Sequence, residues 1–172
     1  MSKWIKMIGG MAGLVVIDQL VKLWALRSLR GHEPIQIIKN VLQLLYVENR
    51  GAAFGMLQNR QWFFLIITAV VILGLILIIP RIPDEKKYRF LNICLVFLGA
   101  GAIGNMIDRA FRKYVVDFIY FKLIDFPVFN VADIYVTCAT FALVLLIFFY
   151  YKEEDINRIF SKKEAKKDEE GS

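Results

Sequence analysis

The chain contains three stretches of 18 residues without a charged side chain, and no other feature restricts its fold as strongly. These stretches are residues 62–79, 90–107 and 134–151. About 20 apolar residues in a helix cross a hydrocarbon layer about 30 Å thick. A fourth apolar stretch, residues 7–26, is interrupted only by Asp18 and Lys22. The sequence therefore predicts four transmembrane helices, the first at about 5–26 and the others at the three uncharged stretches.

Four spans in a chain of 172 residues that is 58% hydrophobic leave no room for a second folded domain. We expect one membrane-embedded domain over residues 1–152, followed by a charged tail over residues 153–172. The first apolar run follows Lys3 and Lys6, as in a signal peptide, but no small-x-small cleavage site comes after it. We interpret this run as a retained first span.

The net charge of +6 does not indicate nucleic-acid binding. Most basic residues lie beside the predicted spans, where Lys and Arg set topology and meet anionic lipid. An even number of spans puts both termini on one side of the membrane. That side carries twelve Lys and Arg residues, and the other side carries nine. Because positive side chains concentrate on the cytoplasmic side, we expect both termini there. The connections 27–61 and 108–133 then share the outer face.

Histidine and cysteine are too scarce for most metal or disulfide chemistry. His32 is the single histidine, which excludes a histidine-based metal cluster. Cys94 and Cys138 both fall within predicted spans, and we interpret them as small buried apolar residues. We therefore expect neither a metal nor a cofactor.

Residues 34–47, PIQIIKNVLQLLYV, have a β-like pattern of Ile, Val and Tyr broken by Gln, Lys and Asn. The segment is too short and too polar to cross a membrane. It predicts a small sheet at the membrane surface, and Gly51 and Gly55 allow tight turns before the second span. The predicted fold class is an all-α polytopic membrane protein with four transmembrane helices and a small extracytoplasmic β-sheet.

Asp18 and Lys22 lie four residues apart in the first span, so they share a helix face and can pair. Charged side chains in lipid are costly and usually serve a purpose. One interpretation is a buried ion pair that fixes helix packing. Another is that Asp18 orients a site near the outer end of the span. A third makes the pair the relay of a small ion-coupled transporter, although no inverted repeat supports it.

Two further acids lie among apolar residues on the outer side. Asp117 is in the run YVVDFIYF, and Asp133 is in FPVFNVADIY, where the fourth span begins. Taken singly, Asp117 is an interfacial surface carboxylate and Asp133 a helix cap favoured by the helix dipole. Taken together, they can meet across the end of the helix bundle. Asp108 and Asp125 are rival candidates, although Asp108 can also pair with Arg109, and Asp125 is typical of a turn.

Two close carboxylates in a low-dielectric site cannot both ionise easily, so they share one proton. The ionised carboxylate takes a proton from a water molecule that attacks an amide carbon. The protonated one polarises the carbonyl and later protonates the leaving amine. A pair formed by Asp117 and Asp133 would suit peptide hydrolysis without a nucleophilic Ser or Cys and without a metal.

Two polar clusters accompany these acids. Residues 49–55, NRGAAFG, combine hydrogen-bond donors with small residues that allow a close backbone approach. Residues 104–109, GNMIDR, end the third uncharged stretch. Turn chemistry alone would also explain either cluster. Ala100 and Gly104 form a small-xxx-small pair, which favours close contact between helices.

Five short motifs occur in order between the four spans. They are Asp18-Gln19 with Lys22, Asn49-x-Gly51-Ala52-Ala53-Phe54, Gly104-Asn105-x-x-Asp108-Arg109, Val115-Val116-Asp117-Phe118 and Phe129-Asn130-Val131-Ala132-Asp133. In this order and at this chain length, the motifs closely resemble the bacterial lipoprotein signal peptidase family, also called signal peptidase II. The resemblance covers residues from about 10 to 150 and leaves out the charged tail.

The resemblance implies a membrane-embedded aspartic endopeptidase that removes the signal peptide from a prolipoprotein, just before a cysteine bearing a diacylglyceryl group. It implies that Asp117 and Asp133 are the catalytic pair and that no metal takes part. It also implies residues that bind the substrate or orient the pair, namely Asp18, Lys22, Asn49, Gly51, Asn105, Asp108, Arg109, Asn130 and Ala132.

The implied partners are diacylglyceryl-modified prolipoproteins and membrane lipids, with no nucleic acid, and the chain is expected to be monomeric. The implied setting is the bacterial cytoplasmic membrane, with the active site near the outer face. The sheet near 34–47 would form a cradle on the membrane surface, with a short loop or helix over the site. We expect residues 99–104 to help form a groove for the signal-peptide helix. An ion-coupled transporter and an inactive scaffold protein are the alternatives from other classes.

Overall fold

The structure is a computed structural model that describes residues 3–51 and 61–160. Four of its helices are long and apolar enough to cross a membrane, which confirms the four predicted spans. Large side chains such as Val70 and Phe149 are exposed on them, as expected for a surface solvated by lipid. These helices are α1 (Lys3–Ser28), α2 (Gln61–Ile78), α3 (Arg89–Arg112) and α4 (Val131–Leu145). A 3-10 turn continues α2 and a π-helical turn continues α4, at Ile79–Arg81 and Leu146–Tyr150.

Two of the helices extend beyond the uncharged stretches. α3 continues to Arg112, five residues past the predicted end. It stays helical because Asp108 pairs with Arg112 one turn later and with Lys22 of α1. α4 begins at Val131, three residues earlier than predicted, with Asn130 as its N-cap.

α3 is the central helix, and α1, α2 and α4 all pack on it. A Cβ on Gly101 would lie 2.5 Å from the backbone oxygen of Ala132 in α4. A Cβ on Gly104 would lie 2.5 Å from Asp18 Oδ2 in α1. The prediction that residues 99–104 form a groove for a signal-peptide helix is therefore wrong, because α1 and α4 of this chain occupy that face.

The predicted surface sheet is present, and it has a third strand that was not predicted. The strands, which are antiparallel and ordered β1-β2-β3, are β1 (Ile35–Ile38), β2 (Leu42–Asn49) and β3 (Val115–Phe121). The β1–β2 hairpin confirms the prediction made from residues 34–47. In β3, Asp117 lies opposite Val47. Residues 115–118 are all buried, so β3 lacks the polar alternation typical of a half-exposed strand.

The sheet is anchored on the end of α1. One apolar cluster joins the last turns of this helix to β3, through Ala25, Leu29, Val116 and Phe118. Both long connections therefore meet at the end of the bundle where α4 begins.

At the opposite end of the bundle, the chain after α4 folds into a further helix, α5 (Glu153–Phe160). α5 buries Ile159 against the connection between α2 and α3. Lys87 Nζ of that connection lies 2.5 Å from Asp155 Oδ1. The charged tail expected over 153–172 therefore begins with a docked helix, α5, which an apolar side chain and an ion pair hold in place.

Residues 52–60 and 161–172 lie outside the described part of the chain. The expected turn at Gly55 and the last twelve residues of the charged tail fall in these segments. Cys94 is buried as expected. Cys138 is exposed instead of buried, because it lines open space beside α4.

Candidate active site

Asp117 and Asp133 line one cavity of about 1080 Å³ at the sheet-covered end of the bundle. β3 supplies Asp117, and the first turn of α4 supplies Asp133. The connection between them is held against β3 by backbone hydrogen bonds between Ile119 and Phe129. The sheet and the helix therefore bring two acids from separate motifs to the same cavity.

Asn130 links the two acids directly. Its Nδ2 donates to Asp117 Oδ1 at 2.6 Å, and its backbone N donates to Asp133 Oδ2 at 3.1 Å. The backbone N of Asp133 donates in return to Asn130 Oδ1 at 3.0 Å, which completes a capping box on α4. Asp133 is therefore a helix-capping residue, as one interpretation of the sequence held, and also a cavity acid.

Asn49 and Asn105 hold the remaining carboxylate oxygens. Asn49 Nδ2 donates to Asp117 Oδ2 at 2.7 Å, and Asn105 Nδ2 donates to Asp133 Oδ1 at 2.8 Å. Each of the four carboxylate oxygens thus accepts a hydrogen bond from an asparagine. This arrangement fixes the directions of both carboxyl groups.

A buried ion network lies behind the carboxylates. Lys22 Nζ is 2.9 Å from Asp18 Oδ2 and 3.2 Å from Asp108 Oδ2, and all three side chains are fully buried. Arg112 also pairs with Asp108. The interpretation of Asp18 and Lys22 as a buried ion pair is therefore confirmed. The predicted pair of Asp108 with Arg109 is wrong, because neighbouring residues on a helix point in different directions while residues four apart face each other.

Asp18 and Asp108 also accept hydrogen bonds from the backbone next to the two cavity acids. Asp18 Oδ1 accepts a hydrogen bond from the backbone N of Ala132 at 2.9 Å. Asp108 Oδ2 accepts one from the backbone N of Val116 at 3.2 Å. Ala132 and Val116 immediately precede the two cavity acids. Asp18 thereby also satisfies an N–H group that the first turn of α4 leaves without a helical partner.

Arg109 lines the cavity, and its Nε has no hydrogen-bond partner among the described residues. Its guanidinium lies 4.7 Å from the ring centre of Phe64 in α2, close enough for a cation–π contact. A guanidinium offers several donors in one plane. Arg109 can therefore donate to carbonyl oxygens of a peptide bound in the cavity.

The two rival acids have other roles. Among the described residues, Asp108 belongs to the ion network and is not part of the cavity lining. Asp125 lines the edge of the cavity but is the turn residue expected from the sequence, with a φ of 48°. Its Oδ1 accepts a hydrogen bond from the Tyr120 hydroxyl at 2.6 Å.

The pKa of Asp117 is raised to about 7. Burial is the largest cause, and the negative charge of Asp133 adds to it. Hydrogen bonds from Asn49 and Asn130 act in the opposite direction, because they stabilise the ionised carboxylate. Burial and the charge of Asp133 therefore favour a protonated Asp117 near neutral pH.

The fold and the cavity define the class of this chain: a four-span membrane protein with two hydrogen-bonded carboxyl groups at one end of its helix bundle. A family model described as signal peptidase (SPase) II matches residues 11–149. The chain belongs to this family, and the resemblance identified from its motifs is confirmed.

Individual relatives agree with the family model. The lipoprotein signal peptidase of Brevibacillus brevis is 43% identical over 80% of this chain and 91% of its own length. That of Clostridium tetani is 41% identical over 86% of this chain and 94% of its own length. Two solved structures of a bacterial membrane enzyme, determined by the in meso method, match with TM-scores of 0.73. They are 29% and 30% identical, and they cover 94% and 85% of this chain and 94% of each solved chain.

The structure brings together the residues singled out from the sequence, although their contacts differ in detail. Gly51 contributes through its backbone N, which donates to Asn49 Oδ1 at 3.0 Å; the rest of that motif, residues 52–54, lies outside the described residues. Sequence reasoning missed Arg112 and Phe64. The spacing of Arg112 four residues after Asp108 was an available signal, whereas Phe64 lies in an uncharged span where no local pattern distinguishes it.

Proposed function

We propose that the chain is an aspartic endopeptidase that removes the signal peptide from diacylglyceryl-modified prolipoproteins, cutting just before the lipid-modified cysteine. The observation that carries this proposal is the connection of Asp117 and Asp133 through Asn130 in one cavity. Family membership and the names of the relatives, which are lipoprotein signal peptidases, support the substrate class.

In the proposed mechanism, the pair holds one proton and one negative charge near neutral pH. The ionised carboxylate takes a proton from water as the water oxygen attacks the carbonyl carbon of the scissile peptide bond. The protonated carboxyl group donates to the carbonyl oxygen as negative charge develops there. The carboxyl group that took the proton from water then donates it to the leaving nitrogen as the C–N bond breaks. The other carboxylate takes a proton from a hydroxyl group of the tetrahedral intermediate, so the pair again holds one proton.

The surrounding residues position the pair and the substrate. Asn49, Asn105 and Asn130 hold the carboxyl groups with their donors, so the groups need not reorganise during the reaction. The buried network of Asp18, Lys22 and Asp108 fixes the backbone beside each acid. Arg109 donates to carbonyl oxygens of the bound peptide and holds the scissile bond against the pair.

The proposed orientation has both termini in the cytoplasm and the cavity near the outer face of the cytoplasmic membrane. Support comes from the excess of Lys and Arg on the side of the termini. A lipid-anchored substrate presents its scissile bond at the bilayer surface, the depth at which α4 begins. We propose that one chain is sufficient, because both acids and all of their hydrogen-bond donors come from the same chain.

The test is cleavage of a synthetic diacylated prolipoprotein peptide by Asp117→Asn and Asp133→Asn. Each variant keeps the shape of the side chain but removes its acid function, so each should fold and show no measurable cleavage. Asp125→Asn is the matched control, since Asp125 lines the same cavity but has no part in the mechanism. Substantial turnover by either of the first two variants would contradict the role assigned to that residue.

A further inference from the structure

A second, smaller cavity of about 180 Å³ lies between α3 and α4. All of its lining side chains are apolar, and three come from each helix at spacings that place them on facing sides. The space exists because α4 contributes only small side chains there. We call this cavity the α3–α4 furrow, and its lining residues are Ile93, Cys94, Phe97, Cys138, Ala139 and Ala142.

The furrow adjoins the cavity of the two acids. Cys138 lines both spaces. With a rise of 1.5 Å per residue, Cys138 lies about 7 Å along α4 from Asp133, and Ala142 lies about 13 Å from it. Because Asp133 is in the first turn of α4, this direction leads from the end of the bundle into the membrane. A ligand at the carboxyl groups therefore has an apolar path along α4 into the hydrocarbon layer.

We propose that the α3–α4 furrow binds one acyl chain of the diacylglyceryl group while the scissile bond lies at Asp117 and Asp133. This inference rests on the proposed function, because the lipid is attached to the cysteine beside that bond. It extends the function by assigning a binding site to the lipid part of the substrate.

The size of the furrow indicates which apolar part of such a substrate it binds, the acyl chain or the signal-peptide helix. A helix with its side chains is about 10–12 Å across. An apolar cavity of about 150 Å³ holds a single benzene molecule, so a furrow of about 180 Å³ is far too small for a signal-peptide helix. A flexible alkyl chain fits a narrow apolar space between two helices.

The expected contribution to binding is moderate. A chain that moves from lipid into the furrow gains little from the hydrophobic effect, since lipid tails are as apolar as the furrow. Its gain comes from closer packing against Phe97 and the small side chains of α4. The furrow should therefore influence KM and depend on the length of the acyl chain.

The experiment fills the furrow and compares two substrates. Full-length Ala142→Phe is assayed in phospholipid nanodiscs with lipopeptides that carry either two hexadecanoyl or two hexanoyl chains. The added ring should raise KM for the long-chain lipopeptide roughly fivefold, which corresponds to about 1 kcal/mol of lost packing. KM for the short-chain lipopeptide should change much less, because a hexanoyl chain has ten fewer carbons to pack along the furrow.

Val144→Phe is the matched control. Val144 is exposed on α4, two residues from Ala142 and outside the furrow, so this variant should keep the wild-type KM for both lipopeptides. If Ala142→Phe also keeps the wild-type dependence on chain length, the furrow proposal is overturned. If the wild type cleaves neither lipopeptide, the proposed function itself has failed.

A second measurement covers the case in which Ala142→Phe does not fold. The long-chain lipopeptide is given a photoreactive group on one acyl chain and bound to Asp133→Asn, which retains the uncleaved substrate. Crosslinks should map to furrow residues on α3 and α4 and should be suppressed by excess unlabelled lipopeptide. A phospholipid with the same photoreactive chain is the comparison. If it crosslinks to the furrow and excess lipopeptide does not displace it, the furrow holds bilayer lipid and the proposal is overturned.

Discussion

Each asparagine at the paired acids has its amide orientation fixed by a group that can only donate a hydrogen bond. Asn105 Oδ1 accepts from the Lys22 ammonium at 2.9 Å, and Asn49 Oδ1 and Asn130 Oδ1 accept from backbone N–H groups. With its oxygen occupied in this way, each amide must direct its NH₂ group at a carboxylate. Lys22 therefore influences Asp133 without touching it, through Asn105.

The raised pKa of Asp117 predicts how cleavage depends on pH. The active pair carries one proton, so kcat/KM should fall as the pH rises through about 7 and that proton is lost. The Asn49 hydrogen bond favours ionised Asp117, so Asn49→Ala should raise the pKa and move this decline to higher pH. A pH profile of kcat/KM tests the shift even if the maximal rate is lower.

Tyr120→Phe serves as the control for that profile. Tyr120 lines the same cavity, but its hydroxyl donates to Asp125 rather than to Asp117 or Asp133. This variant should leave the alkaline decline at the wild-type position. An Asn49→Ala profile that coincides with the wild type, or moves to lower pH, would contradict the assigned hydrogen-bond effect.

Replacing Lys22 with Met should weaken both the fold and the site. The substitution leaves Asp18 without its ion-pair partner and Asp108 with only Arg112. Breaking a buried ion pair costs about 3–5 kcal/mol, which unfolding by denaturant in micelles would detect. Activity should also fall, because Asn105 loses the donor that orients it. Lys39→Met, at an exposed lysine in the β1–β2 turn, should change neither quantity.

At the scale of elements, the helices were predictable from the sequence because a membrane span depends mainly on length and apolarity. Their ends were not, because the long-range Lys22–Asp108 contact stabilises the last turns of α3. β3 was missed for a related reason: residues 115–118 are all buried, partly against α1, so VVDFIYF lacks the apolar–polar alternation of a half-exposed strand. Both catalytic candidates were identified as residues, yet the strand that positions Asp117 was not.

The docking of α5 also depends on contacts that are distant in sequence, and it can be tested separately. Ile159 is buried against the α2–α3 connection, so Ile159→Ala should weaken docking by about 2 kcal/mol or more. Backbone amides of α5 should then exchange hydrogen faster, while cleavage is unchanged because α5 lies at the opposite end of the bundle from the cavity. Phe160→Ala, at a largely exposed neighbour, should leave exchange as in the wild type. Unchanged exchange in Ile159→Ala would show that the ion pairs alone hold the helix.

In the whole molecule, the two ends of the helix bundle carry different groups. One end carries the sheet, the ion network and the paired acids. The other end carries both described chain ends, α5 and the α2–α3 connection. Lipid covers the apolar surface between them, so the position of the proposed reaction depends on which end faces outwards.

The proposed orientation predicts which positions are reachable from outside an intact cell. In a chain with Cys94 and Cys138 replaced by Ala, His32→Cys lies at the sheet end and Asp84→Cys at the α5 end, and both positions are exposed. A membrane-impermeant thiol reagent should label His32→Cys in intact cells and Asp84→Cys only after the membrane is permeabilised. The physical reason is the excess of Lys and Arg at the α5 end, which retains that end in the cytoplasm. The reverse labelling pattern would put the paired acids on the cytoplasmic face, where a prolipoprotein signal peptide inserted with its cysteine outside would not reach them.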